Sequence, residues 1–186
     1  MRAGTLHQRI PASSLGTARI VHDTLDEFTR LRAQWDGMPL YAQVYTRLFV
    51  DGELWMTDAE FECQTNYDIA YHSRGDILIA GLGLGLIIGP MLEREQVRSV
   101  TVLEKSPDVI ALIGPHYDSL KLTIIEADVH EWQPPKKAYD FIYFDIWADV
   151  PNSDNRAEIT ALKKRYRTAL KAGGKTSAWC ENRVRR

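Results

Sequence analysis

Three glycines and three carboxylates carry the clearest chemical signal in this sequence. Residues 76–85 run Asp76-Ile-Leu-Ile-Ala-Gly81-Leu-Gly83-Leu-Gly85. Glycine after a buried strand lets the backbone turn tightly and approach a ligand with no Cβ in the way. The helix start beyond it offers unpaired N–H groups to a carboxylate or phosphate. A nicotinamide dinucleotide fingerprint wants G-x-G-x-x-G. Counted from Gly81 its third glycine falls on Leu86, and counted from Gly83 on Ile88, so it fails in both frames. Glu104 stands 19 residues after Gly85, where a strand-end carboxylate can accept hydrogen bonds from both hydroxyls of a ribose. The plainer alternative is a surface glutamate. Asp128 is placed for an adenine amino group, or else caps its loop. Asp145 ends a further apolar run. Together they predict a nucleotide site.

These residues need elements to position them. From Arg74 onward short apolar strands alternate with helical segments: strands over Ile77–Ala80, Val100–Leu103, Leu122–Ile125, Phe141–Phe144 and Lys175–Trp179. Helices are expected over Leu86–Glu93, Pro107–Ile113 and Ile159–Leu170, the second capped by Ser106 with proline at its first position, the third ended by Gly173-Gly174. Strands apolar on both faces and joined by helices form a parallel sheet covered on both sides. The fold class is therefore α/β, doubly wound, with all the candidate residues at carboxyl ends of strands, where such sheets bind ligands. Ahead of it, Ala18–His22 predicts a strand, and Thr24 with Glu27 has capping-box spacing before Phe28, Leu31 and Trp35. Gly37-Met38-Pro39 should stop that helix. Asp51-Gly52 should turn a hairpin of Tyr45–Val50 with Leu54–Thr57, followed by a helix over Ala59–Tyr71. The expected division is residues 1–72 as a small strand, helix and hairpin region and residues 73–186 as the nucleotide-binding domain.

At 186 residues, 45% apolar and 26% charged, the chain has the balance of a soluble globular protein with one substantial core. No apolar run is long enough for a membrane span, and Met1 to Arg9 has no signal-peptide core. Cys63 and Cys180 are isolated, so a reduced, cytoplasmic protein is expected. His7, His22, His72, His116 and His130 show no metal-ligand spacing, so no metal is expected. Charge is lopsided. Residues 1–155 hold 13 Lys/Arg and 23 Asp/Glu, a net −10, whereas residues 156–186 hold 10 and 2, a net +8. A basic segment on an acidic body can meet a phosphate-rich partner such as nucleic acid, or make an internal contact. A solvated helix face is the preferred explanation.

The glycine loop, Glu104, Asp128 and Tyr139-Asp140-Phe-Ile-Tyr-Phe-Asp145, with the Asp51-Gly52 hairpin and Thr57, resemble the class I S-adenosylmethionine-dependent methyltransferases. The resemblance is greatest to their spermidine-synthase-like branch and covers about Tyr45 to Trp179. It implies a Rossmann-like methyltransferase fold. Gly81, Gly83, Gly85, Glu104 and Asp128 then fall on cofactor-binding positions for S-adenosylmethionine or its decarboxylated form, and Asp145 on the catalytic aspartate. Several positions depart from the family. Its strand glutamine falls on Trp55, its paired Asp-Glu on Glu60-Phe61, and its Tyr-His-Glu on Gln64-Thr65-Asn66. The acidic residue of its glycine loop is Leu84, and Asp149 stands one place late. Most groups that would hold a polyamine are thus absent, and putrescine is expected to be a poor acceptor.

The resemblance leaves three readings. The first is a methyltransferase acting on a small or otherwise unidentified nucleophile, with Asp145 orienting or deprotonating it. The second is an aminopropyltransferase, and the third a non-catalytic nucleotide-binding or scaffold protein. Trp147, two residues beyond Asp145, is the expected acceptor contact, whereas Trp179 is expected in the core. Counted against the family, the sheet is C-terminally short, its usual sixth and seventh strands having no residues. The fifth strand is then an edge, and a homodimer is expected to cover it.

Overall fold

The computed structural model describes residues 1–35, 37 and 40–184. Strands β1 (Ser13–Leu15) and β2 (Ala18–Thr24) precede helix α1 (Glu27–Trp35), and β3 (Val44–Val50) and β4 (Glu53–Thr57) form the hairpin. Its turn has positive φ at both Asp51 (53°) and Gly52 (84°), the conformation that a two-residue Asp-Gly hairpin requires. The four strands form one antiparallel sheet in the order β1-β2-β3-β4, so the strand expected at 18–22 is joined to the hairpin. The cap of α1 is Asp26 and not Thr24. The Asp26 carboxylate accepts from Thr29 N–H at 2.7 Å, while Thr24 ends β2, paired with Val44. Gly37 (φ 75°) donates to Gln34 O just past α1. Met38 and Pro39 of the expected stop lie outside the described residues.

The helix expected over 59–71 is two, α2 (Glu60–Thr65) and α3 (Tyr67–His72). They meet at Asn66, fully buried, whose side-chain oxygen accepts from the Tyr143 hydroxyl at 2.9 Å. Asp58, also fully buried, accepts from Leu6 and Thr46 N–H and ties the N-terminal segment to the hairpin.

From β5 (Gly75–Ala80) the chain alternates strand and helix: α4 (Ile88–Leu92), β6 (Val97–Glu104), α5 (Pro107–Ile113), β7 (Leu122–Glu126), β8 (Tyr139–Phe144), α6 (Arg156–Tyr166), β9 (Leu170–Ala178) and α7 (Glu181–Val184). The five strands are parallel in the order β7-β6-β5-β8-β9. The order reverses between β5 and β8, the switch point where open α/β sheets leave a crevice. Alternate residues of each strand serve opposite faces. Ile77, Ile79, Val100, Val102 and Tyr143 join Ile20, Leu48 and Ile113 in one core, while Leu78, Ala80, Ile142 and Phe144 pack with Ile159, Leu162 and Tyr166 of α6 in another.

Two expected boundaries shift. Helix α4 begins at Ile88, so Pro90 falls in its first turn, where no N–H is needed. Helix α6 ends at Tyr166, and Leu170 already pairs with Tyr139 in β9. Gly173-Gly174 therefore lies inside the strand. The pairing jumps from Tyr139↔Leu170 to Phe141↔Lys175, with Gly173 at φ 79° in the bulge.

Candidate functional site

One cavity opens at the carboxyl ends of the strands, and Gly81, Gly83, Glu104, Asp128 and Asp145 all line it. Gly81 (φ 99°) is at the switch point. A Cβ there would lie 2.0 Å from the Asp145 carbonyl oxygen, and Asp145 N–H donates to Ala80 O at 2.8 Å. The two strand ends therefore touch through their backbones. Gly85 differs from the other two glycines. It is not part of the cavity wall, and a Cβ there would meet the Tyr117 ring at 2.4 Å. The Tyr117 hydroxyl donates to Leu84 O at 2.8 Å and braces the loop from behind.

Glu104 is pre-positioned at the end of β6. One carboxylate oxygen accepts from Leu82 N–H and the other from Ser106 N–H, both at 2.9 Å. Each oxygen keeps a further lone pair for a ligand hydroxyl. Asp128, past the end of β7, accepts from His130 N–H at 2.8 Å. From the hairpin, Met56 reaches over the glycine loop. Its sulfur accepts from Leu84 N–H at 3.2 Å and lies where a Cβ of Gly83 would come within 2.4 Å. Leu84 itself is fully buried.

The cavity wall is also acidic and aromatic. Asp145 is joined there by Glu62 of α2, Trp55 of β4, Trp147, Trp179 and Glu158. Burial pushes the Asp145 carboxyl up to about 7. Burial first, and the Asp145 charge second, push Glu62 up to about 8, against a hydrogen bond from the Thr57 backbone. Glu158 accepts from the Trp147 indole N–H at 2.8 Å and pairs with His130 at 3.2 Å. Trp179 is core as well as wall. It is 3% exposed, and its indole N–H donates to Thr65 at 3.0 Å. Of the positions aligned with polyamine groups, Thr65 and Asn66 are thus engaged in structure and Gln64 is exposed.

The sequence singled out neither Glu62, Met56 nor Glu158. Nothing in its spacing marks Glu62, which reaches the cavity from α2. A second, outer groove adjoins the cavity and shares Trp55, Met56 and Glu62 with it, together with Glu53, Leu54, Thr57, Ala148 and Asp149. Among the described residues no group of three or more His, Cys, Asp or Glu is placed to hold a metal ion, and no helix is long and apolar enough to cross a membrane.

No family model matches the sequence, and no curated protein matches it. Solved structures do resemble the fold. Spermidine synthase from Thermotoga maritima aligns with 91% of this chain and 56% of its own, at TM-score 0.59 and 20% identity. A spermidine synthase in complex with the transition-state analogue AdoDATO aligns with 91% of this chain and 55% of its own, at TM-score 0.57 and 19% identity. The chain spans about half the length of the solved structures it resembles. An alignment over 91% of the chain reaches into the N-terminal segment as well as the nucleotide fold. The architecture is therefore a Rossmann-like methyltransferase α/β fold with an added antiparallel sheet.

Proposed function

We propose that the protein is an S-adenosylmethionine-dependent transferase that alkylates an amine. The observation that carries this reading is the Glu104 carboxylate, fixed by Leu82 and Ser106 N–H in one cavity with Gly81, Gly83, Asp128 and Asp145. That donor set fits an adenosyl ligand. Glu104 has the free lone pairs to accept two ribose hydroxyls, and Asp128 is a carboxylate within reach of an adenine amino group. Gly81 and Gly83 hold positive φ and offer backbone with no side chain in the way. When bound, the ligand supplies an electrophilic carbon on a positively charged sulfur. The chain's own part is to align that carbon with the acceptor, to exclude water, and to take a proton on Asp145.

The acceptor is cationic on this reading. Glu104, Asp128 and Glu158 line the cavity with Lys105, and a cationic ligand would favour the ionised forms of Asp145 and Glu62 beside them, so the cavity suits a sulfonium donor and an amine acceptor over an anionic one. Methyl transfer is the first reading. Aminopropyl transfer from decarboxylated S-adenosylmethionine is the second, favoured by Glu62. This carboxylate stands at the junction of cavity and outer groove and supplies part of what the departures at Gln64, Thr65 and Asn66 remove. We further infer that a second copy covers the β9 edge.

Isothermal titration with S-adenosylmethionine, its decarboxylated form and S-adenosylhomocysteine tests the donor. Binding of at least one is expected, and no response to any at millimolar concentration would overturn the reading. Release of methylthioadenosine on mixing the decarboxylated donor with putrescine would select aminopropyl transfer.

A further inference from the structure

A set of cations away from the cavity is held together by the fold. The loop between β7 and β8 runs Pro134-Pro135-Lys136-Lys137, and α6 ends in Lys164-Arg165-Tyr166, followed by Arg167. These two segments are strapped to each other twice. The Arg165 guanidinium donates to the Glu131 and Trp132 carbonyls at 2.9 and 3.0 Å. The Lys137 and Ala138 N–H groups donate to the Thr168 and Ala169 carbonyls at 2.9 and 2.8 Å. Lys137 holds φ at 52°, a left-handed conformation that is strained for lysine and persists only where its surroundings fix it. The prolines stiffen the chain leading to it. Arg167 N–H donates to Lys164 O, so those two side chains stand one turn apart at the helix end. Lys136, Lys137, Lys164 and Arg167 are all exposed, and among the described residues none of the four is in an ion pair.

We propose that this face binds the phosphate backbone of a nucleic-acid duplex, without regard to base sequence. Charge selects the class of partner. Lys136, Lys137, Lys164, Arg165 and Arg167 are accompanied by one exposed carboxylate, Glu131. The next carboxylates, Asp76 and Asp140, are taken up by Arg98 and Lys171. Residues 1–155 are net −10, so a polyanion is repelled from most of the surface and steered to this face. Packing then selects among polyanions. No large apolar side chain between residues 121 and 180 is exposed. The face therefore lacks the aromatic platforms on which unpaired bases stack, and the apolar wedge by which a basic helix enters a membrane surface. A duplex, with one charge for about every 1.7 Å of its axis, meets cations on two rigid segments at once.

The face and the cavity are separate. The loop of residues 131–138 leads into β8 and the turn Arg167–Ala169 into β9. The cations thus stand at the amino ends of these parallel strands, whereas Gly81, Glu104 and Asp145 stand at carboxyl ends. The six residues of β8, at about 3.3 Å each, put roughly 20 Å between the two ends. A duplex held here does not reach Asp145. It anchors the protein beside nucleic acid and is not the acceptor, so the inference does not depend on the transferase reading.

Fluorescence anisotropy of a labelled, mixed-sequence DNA duplex with the full chain tests the face. Binding is expected at about 50 mM salt and should weaken about 100-fold by about 200 mM, the salt dependence of roughly four phosphate contacts. Lys136→Gln with Lys137→Gln, or Lys164→Gln with Arg167→Gln, should weaken binding about tenfold at low salt and take about 2 from the log–log salt slope. Lys164→Arg, which keeps the charge, and Arg19→Gln, on the exposed surface of β2, should leave the affinity unchanged, as should scrambling the duplex sequence. No binding at low salt, an unmoved slope in both double variants, or an equal loss in Arg19→Gln would overturn the proposal. So would tighter binding of poly-glutamate, which would make the partner an acidic protein, or of phosphatidylserine vesicles, which would make it a membrane. The melting temperature of each variant should match wild type, because the side chains are exposed, and this separates lost contacts from lost fold. S-adenosylhomocysteine titrated into the same variants reports the cavity independently and should be bound by all of them alike.

Discussion

At the scale of single residues, Glu104 has the most to lose. Glu104→Ala should weaken S-adenosylhomocysteine binding by about 1.5–3 kcal/mol for each of the two charge-assisted bonds removed, measured by calorimetry; a loss of less than threefold would remove Glu104 from the site. Gly83→Val should abolish binding. A Cβ there reaches within 2.4 Å of the Met56 sulfur at a φ of 49°, so side chain, loop or hairpin must move. Asp145 makes a stability prediction. Its carboxyl binds a proton more tightly folded, at about 7, than unfolded, at about 4. Its contribution to stability is therefore present below about 4 and is lost as the pH rises through the folded value. Asp145→Asn should raise the melting temperature relative to wild type at pH 8, with the difference fading at pH 5. Equal differences at both pH values would show that the carboxyl is not raised.

At the scale of elements, a second carboxylate group behaves in the opposite sense. Asp76 of β5 and Asp140 of β8 pair with Arg98 of β6 and with Lys171 in the bulge of β9. A hydrogen bond from Arg98 chiefly holds Asp76 low, and the Asp76 N–H chiefly holds Asp140 low. Stability from this group is full above the ordinary carboxylate range and is lost as the pH falls through it. Asp140→Ala strands the Asp76 N–H and frees the bulge, and should cost roughly 1–2 kcal/mol in urea denaturation at pH 7, with less loss at pH 3. The junction of α2 and α3 also carries a tertiary contact. Helical periodicity over 59–71 predicts one helix, but Asn66 is claimed by a hydroxyl 77 residues away. Asn66→Ala should destabilise by roughly 1–3 kcal/mol by leaving the buried Tyr143 hydroxyl unpaired.

At the scale of the whole molecule, part of the basic C-terminal segment is spent within the chain. Lys163 pairs with Glu181, Lys171 with Asp76 and Asp140, and Arg165 donates to the Glu131 and Trp132 carbonyls. Arg185 and Arg186 lie outside the described residues. The sheet also offers edges to partners: β9, like β7 at the other side, has one neighbour in the sheet and presents a row of backbone groups. Self-association through it should show as a dimer in sedimentation at low ionic strength, weakening with salt if charge contributes. A monomer at both salt levels would refute it.

The sequence by itself determined the alternation of strands and helices, the glycine turn and the carboxylates at strand ends, because periodicity and backbone freedom are local properties. Helix α5 and its Ser106 cap form where expected. The structure alone decided which side chains converge. Gly81 touches Asp145 because strands distant in sequence are neighbours at the switch point. Gly85 turns to Tyr117, and Met56 comes from the antiparallel sheet to cover the loop. Glu62 of α2 lines the same cavity as Asp145 of the parallel sheet. Each of these contacts joins residues far apart in the chain, and its geometry is set by packing between elements, which no local pattern encodes.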